Sequence, residues 1–286
     1  MGLELTRIQP PPRPIGPHLA AQMMLGGIWS QIGWVLFGFG SIFYWLLGYH
    51  ADLSGFRFRE SSIARVQGTV LDCRDTNTAV NDEEVIENRY RYELNGIVYS
   101  GLSYDTGRCL EGEAASIEYL KDRPEFSRVQ GMRRDRFGPW AVLVAGFPGF
   151  GLAVVILCLR AGAGRVRLLR HGVAVPGRYV GKEPTNTRIN EKMVYRVAMD
   201  YTAQDGSTHR ATVKTTNPQV LHDQAREAVL YDPARPDRSV PIDSLPGKLK
   251  LDRDGRFQSG GSWGLLIVPV LSIALNALLM SLVLGA

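Results

Sequence analysis

Thr76-Asn77-Thr78-Ala79-Val80-Asn81-Asp82 returns about 109 residues later as Thr185-Asn186-Thr187-Arg188-Ile189-Asn190-Glu191. The match extends on both sides: Val66-Gln67-Gly68 is echoed by Val175-Pro176-Gly177, Val85 by Val194 and Tyr92 by Tyr201. Self-similarity at a fixed interval defines a structural unit before any propensity is weighed.

Each unit reads as short strands. In the first, Ile86, Tyr90, Tyr92 and Leu94 alternate with Glu87, Arg89, Arg91 and Glu93, the period of a half-buried strand. Asn95-Gly96 is a strong hairpin signal, and 97–104 is the returning strand. Strands at 66–73, 115–120 and 127–130 complete the unit. The second unit runs in parallel over 175–182, 193–202, an Asp205-Gly206 turn, 207–215, 228–231 and 239–242, with an extra helical turn within 217–226. Five short strands in roughly 70 residues suit a small, curved sheet or barrel of SH3-like or OB-like kind, since closure removes exposed edges.

The units alternate with three runs that contain no Asp, Glu, Lys or Arg: Gln22 to Gly48, Phe137 to Leu159, and Phe257 to Ala286. A helix needs about 20 apolar residues to cross a bilayer core. The expected fold class is therefore an α+β membrane protein, with three transmembrane helices and two small all-β domains related by the repeat. Its plan is a Pro-rich leader (1–21), spans at 22–49, 138–160 and 263–285, and β domains at 62–134 and 170–246. Tyr44, Trp34, Trp45, Trp140 and Trp263 supply rings of the kind that favour the headgroup level. The first apolar run is too long for a cleavable signal. Pro10-Pro11-Pro12-Arg13-Pro14 reads as a stiff extended leader. Phe147-Pro148-Gly149 leaves two alternatives, a kinked single crossing or a re-entrant hairpin. Hairpin arms of about ten residues are too short to cross twice, which favours the single crossing.

With a single middle crossing, the two β domains face opposite compartments. Lys and Arg near span ends decide orientation. The leader contributes Arg7 and Arg13. The second segment adds Arg160, Arg165, Arg167, Arg170, Lys248, Lys250, Arg253 and Arg256. The first segment has seven, namely Arg57, Arg59, Arg123, Arg128, Arg133, Arg134 and Arg136. The expected location is a bacterial inner (plasma) membrane, with the N-terminus and second domain cytoplasmic and the first domain periplasmic or extracellular. Cys73 and Cys109 both lie in the first segment. A disulfide is one reading, compatible with a translocated domain; two unrelated thiols is the other.

Tyr231-Asp232-Pro233-Ala234-Arg235-Pro236, with its weaker echo Tyr119-Leu120-Lys121-Asp122-Arg123-Pro124, closes each unit in a proline turn. Together with the Gly68/Gly177 strand, the hairpins and the flanking spans, this resembles a widespread bacterial membrane-protein family of unknown function. That family carries a small β domain ending in a Tyr-Asp-Pro-like turn. The resemblance implies an architecture, here in two copies, and no activity.

Thr76, Asn77, Asn81 and Asp82, with Thr185, Asn186, Asn190 and Glu191, are the candidate interaction loops. Their structural alternative is a loop between the first two strands, where Asn and Thr bond their own backbone. Asp75, Asp82 and Glu83 are too loose a set for calcium. The five histidines lack zinc spacing, and no nucleophile elbow or phosphate-cradling loop is present. No catalytic residue, cofactor or metal is expected. Residues 50–137 carry 13 Lys/Arg against 16 Asp/Glu and residues 160–262 carry 18 against 11, with no aromatic-basic platform for nucleic acid. The spans hold no intramembrane charge of the kind ion paths use. Gln31, Ser272 and Asn276 suit helix–helix hydrogen bonds, and Ala145, Gly149 and Ala153 form a helix-packing face, more simply within the chain than between copies of a homo-oligomer. The expectation is a non-enzymatic scaffold or adaptor, partnered by the lipid bilayer and unidentified proteins. The alternative is an accessory subunit of a transporter or membrane enzyme.

Overall fold

The computed structural model describes residues 5–189, 191–221, 227–247 and 249–285. Among these are the helices α1 (Pro17–Leu25), α2 (Ile28–Phe43), α3 (Gly146–His171) and α4 (Ile267–Leu284). One antiparallel sheet is built from β1 (Ile63–Val80), β2 (Glu83–Leu94), β3 (Ile97–Thr106), β4 (Ala114–Leu120) and β5 (Arg123–Val129). A second is built from β6 (Val173–Ile189), β7 (Lys192–Thr202), β8 (Thr208–Thr215), β9 (Glu227–Asp232) and β10 (Arg235–Pro241), followed by a hairpin of β11 (Leu249–Leu251) and β12 (Phe257–Ser259). The chain divides into two compact units: 38–149 with 275–286, and residues up to 37 with 150–274. This is an α+β protein.

The two sheets share strand order, β3-β2-β1-β4-β5 and β8-β7-β6-β9-β10. Register agrees as well: Thr69 pairs with Arg91 as Arg178 does with Asp200, and Ala79 with Glu84 as Arg188 does with Met193. Irregularities fall at Val70/Asp72 and Asp75/Ala79 in one sheet, and at Tyr179/Gly181 and Pro184/Arg188 in the other. Gly68 and Gly177 occupy crowded sites. A Cβ on Gly68 would lie 2.7 Å from both the Arg91 carbonyl and Ile117, and one on Gly177 2.5 Å from Val229. Tyr92 donates its hydroxyl proton to the carbonyl of Pro124, and Tyr201 likewise to Pro236. Each ring thereby ties its core to the proline turn. The first core packs Val70, Tyr90, Tyr92, Ile117 and Val129; the second packs Val197, Met199, Tyr201, Val229 and Tyr231. Both sheets curl, bringing edge strands together. The Val129 N–H of β5 donates to Ser103 Oγ of β3 (2.8 Å), and β8 lies against β10.

Two expectations are corrected here. The leader does not stand apart as a spacer, because Leu5, Ile8 and Ile15 pack with Leu19 and Met23 of α1 into a core shared with Leu169, Leu230, Ile242 and Phe257. The first long helix begins at Ile28 rather than residue 22, since α1 ends before Gly26-Gly27 and belongs to that core. The extra turn is a short 3₁₀ segment at Pro218–Leu221, and 222–226 lie outside the described residues.

Three helices are long and apolar enough to cross a membrane: Ile28–Gly48, Pro139–His171 and Trp263–Leu284. Trp29, Phe39, Leu157 and Leu282 on them are each more than 60% exposed, as is Trp140. α3 runs unbroken through Pro148-Gly149. Pro148 sits where the 3₁₀ segment Pro139–Ala145 passes into α3, in the first α-helical turn, where proline is best tolerated. A single residue, Gly172, joins α3 to β6, and a Cβ there would lie 2.4 Å from the Leu168 carbonyl. Gln31 donates to the Leu265 carbonyl (3.1 Å), Ser272 to the Trp34 carbonyl (2.9 Å) and Trp45 to Asn276 (3.4 Å).

The small-residue face is also corrected. Gly149 has nothing within 4 Å of an added Cβ, and Gly149 and Ala153 are exposed. Close helix contact instead uses Gly33, Gly40 and Gly151, where a Cβ on Gly151 would lie 2.4 Å from the Phe37 backbone nitrogen. The phase of α3 explains the difference: Pro148, Gly151 and Val155 share the buried side, at helical spacing. Gly151→Leu is therefore expected to lower the thermal midpoint of the detergent-solubilised chain by several degrees, since backbone must move. Gly149→Leu should leave it within error. A midpoint unchanged in both would refute this packing.

Candidate functional site

The Thr-Asn-Thr segments do not form the loop expected between strands. Thr76, Asn77 and Val80 continue β1, and only Asn81-Asp82 turn the chain into β2. Asn81 (φ 54°) and Asp82 (φ 66°) are both left-handed, as a two-residue hairpin of matching twist demands. Asn77 (φ 52°) absorbs the register shift between Asp75 and Ala79. Local bonds occupy these groups: Asp75 Oδ1 accepts from the Asn77 N–H (2.8 Å), and Thr76 Oγ donates to the Val85 carbonyl (2.7 Å). In the second sheet Thr185 Oγ donates to the Val194 carbonyl (2.8 Å) and Asn186 lies exposed in β6. Glu191 turns with φ 64°, while Asn190 lies outside the described residues. What projects is two long hairpin tips, with Asn77, Asn81 and Asp82 exposed in one and Asn186 and Glu191 in the other.

Cys73 and Cys109 are joined as a disulfide, with Cα atoms 5.9 Å apart. Asn88 explains how they meet. It pairs with Cys73 across β1 and β2, is fully buried, donates to the Arg108 carbonyl (3.0 Å) and accepts from the Leu110 N–H (3.0 Å). The residues flanking Cys109 are thus pinned above Cys73. The Glu111 carboxylate lies within 4.8 Å of both sulfurs, but sulfurs bonded to each other are not thiolates and make poor metal ligands.

One constellation lies outside the sequence-based expectations. Ser207 Oγ lies 2.8 Å from His209 Nε2, and His209 Nδ1 lies 3.1 Å from Asp237 Oδ1, the connectivity of a Ser-His-Asp triad. Its proton arrangement is wrong for a nucleophile. Ser207 Oγ is only 2.5 Å from Asp205 Oδ1, a stronger acceptor than imidazole, and the same bond holds the Asp205 carboxyl below its usual range. With the hydroxyl proton directed to Asp205, Ser207 Oγ is left to accept from the imidazole rather than to give it a proton. The Asp237 side chain is 94% exposed, unlike the buried acid that orients a catalytic histidine. The network clasps β8 to β10. The spacing of Ser207 and His209 at the entry to β8 is visible in the sequence; the return of Asp237 across the seam is not.

Tyr90 and Tyr104 are each pushed up to about 12, chiefly by burial. Both act as hydrogen-bonding phenols at neutral pH, toward Ser127 (2.8 Å) and Glu87 (3.0 Å) respectively.

Basic residues separate into two kinds. In the first unit Arg57 and Arg134 stack on Phe126, and Arg128 stacks on Phe58 while pairing with Glu118 (3.0 Å). In the second unit Arg167, Arg170 and His171 line a cleft of about 530 Å³ at the end of α3. Arg13 lies behind that helix end, 3% exposed, with Nη1 donating to the carbonyls of Leu169 (3.1 Å) and Gly172 (2.8 Å).

Comparison with family models, curated proteins and solved structures returns no match at any of the three levels.

Proposed function

We propose that the chain is a three-span integral membrane protein. It presents two duplicated β modules, one on each side of a bacterial inner membrane, as a non-enzymatic scaffold for other envelope proteins. The observation that carries the reading is the pair of sheets matched in strand order and register, flanked by helices long and apolar enough to span. Exposed Trp, Phe and Leu side chains along those helices suit lipid rather than water. The disulfide in the first module and the absence of cysteine from the second favour an oxidising side for the former. The excess of Lys and Arg beside the spans of the second module and leader favours the cytoplasm for the latter. The bacterial family that the Tyr-Asp-Pro turn resembles supplies the same architecture.

Single cysteines placed at Arg91 and Arg196, in a chain otherwise free of cysteine, test the arrangement with a membrane-impermeant maleimide on intact spheroplasts. Labelling at residue 91 alone is expected. Equal labelling of both sites, or recovery of the chain in the soluble fraction after carbonate extraction, would overturn it. Crosslinked pulldown should then recover a partner that depends on the hairpin tips.

The second reading, an accessory subunit engaged through its spans, is favoured by the outward-facing Gly149 and Ala153. Gly149→Leu separates the two, because loss of the partner with both modules still folded selects the span surface.

A further inference from the structure

We infer that the cleft at the end of α3 is a binding site for the phosphodiester headgroup of an anionic phospholipid, an inference that rests on the membrane reading above. Arg167, Arg170 and His171 stand at positions i, i+3 and i+4 of the last helical turn, so they share one side of it. All three are exposed and line the cleft. Cations in a last turn usually serve the terminal carbonyls. Here Arg13 fills that role instead. Its guanidinium takes the Leu169 and Gly172 carbonyls, and its backbone N–H takes that of Arg170 (2.8 Å). The Gly172 N–H takes the Leu168 carbonyl (2.7 Å). The negative end of the helix is therefore already covered, and the two arginines face the opening.

Among the described residues lining the cleft, one acid faces them. Asp232 is buried, and its Oδ1 accepts from the Ala234 N–H (3.0 Å). Its Oδ2 stands 3.8 Å from Arg167, too far for a hydrogen bond. Two guanidiniums and an imidazole thus meet a single, partly engaged carboxylate. The remaining wall is apolar, with Met24, Val166 and Leu168, and α1 presses directly on Gly162 of α3. A site cationic at one side, greasy at the other and placed at the end of a candidate span suits a headgroup with its glycerol and upper acyl carbons. Guanidiniums recognise phosphate bidentately, and basic pockets beside spanning helices are the usual setting for acidic lipid. Three of the arginines beside the spans of the first unit contrast with these, because Arg57, Arg128 and Arg134 already lie on aromatic rings.

The test uses the full chain in mild detergent, probed by native mass spectrometry with phosphatidylglycerol, phosphatidylcholine and inorganic phosphate. Phosphatidylglycerol should be retained about tenfold more than phosphatidylcholine, and Arg167→Gln/Arg170→Gln should remove that preference. Arg167→Lys/Arg170→Lys should keep most of it, and Arg178→Gln/Arg196→Gln, an equal charge change elsewhere on the second unit, should leave it intact. Equal retention of both lipids by the parent chain would overturn the inference, as would loss in the Arg178/Arg196 control. Displacement of phosphatidylglycerol by equimolar inorganic phosphate would make the cleft a free-anion site and likewise overturn it. Carbonate extraction of the same variants distinguishes the failures: a chain that leaves the membrane sinks the spanning reading, whereas one that stays without lipid preference sinks only this site.

Discussion

Replacing Cys73 and Cys109 with serine is expected to destabilise the first sheet unit by about 3–4 kcal/mol, from the loop-closure entropy of a crosslink spanning 36 residues. Marginal folds hold only about 5–15 kcal/mol in total, so this is a large share. The bond joins the end of the regular β1–β2 pairing to the segment after β3. Without it the residues flanking Cys109 keep their two hydrogen bonds with Asn88, and the segment is held at its ends by the Gly107 N–H on the Glu84 carbonyl (2.8 Å) and the Gly112 N–H on the Val70 carbonyl (3.0 Å). Limited proteolysis of the oxidised chain against the double variant measures the effect, with faster cleavage after Arg108 in the variant. Equal rates and equal thermal midpoints would mean that the disulfide adds nothing to this unit. Asn88→Ala should slow oxidative closure of the same pair in a reduced, refolding sample.

Arg13→Ala is expected to cost about 3 kcal/mol in the second unit. Two buried carbonyls, of Leu169 and Gly172, would lose their partner, at about 1–3 kcal/mol for each buried group left unsatisfied. The stacking of the guanidinium on Phe257, 5.5 Å away, would add a smaller loss. Burial lowers the pKa of this arginine from its usual value, yet no carboxylate accompanies it in these contacts; the helix end supplies the negative field. The damage should be local. Hydrogen exchange should quicken across residues 8–25, because Gln9 is held only by the Gly255 carbonyl (3.1 Å) and by Gln9 Nε2 to Asp254 (2.9 Å) once Arg13 is gone. The first sheet unit should exchange as before. Arg13→Lys should recover only part, since one ammonium cannot span two carbonyls as a planar fork does. Unchanged exchange in 8–25 would mean that the Arg13 side chain does not hold the leader.

Local chemistry makes the sheets legible in the sequence. Asn95-Gly96 forms its left-handed turn with φ of 53° and 80°, and Tyr90, Tyr92 and the alternating arginines fall on the faces their spacing requires. Three apolar runs become three long helices for the same reason: composition alone fixes them. Where long-range partners decide, the sequence is silent. Arg13 looks like part of a polyproline spacer, because nothing near it reveals a helix end 156 residues away. Asn88 interrupts the apolar face of β2 and offers no hint that it positions Cys109. The Asn-rich tips read as loops, since Asn favours turns, but the strands simply run farther and let Asn77 take the irregular step. Gly149 and Gly151 are equally small; only the position of Phe37 shows which one must be. Ser207, His209 and Asp237 assemble through closure of the sheet, which no window of sequence contains.

Gly172 leaves no slack between α3 and β6. A helix that tilts or turns by a few degrees will swing the second sheet bodily, as a handle moves a blade, and a load on the sheet will travel back along the same shaft. A short Gly-Ser tether inserted after Gly172 would slacken that covalent link and leave the packing of Leu169 on Leu230 as the remaining coupling between helix and sheet.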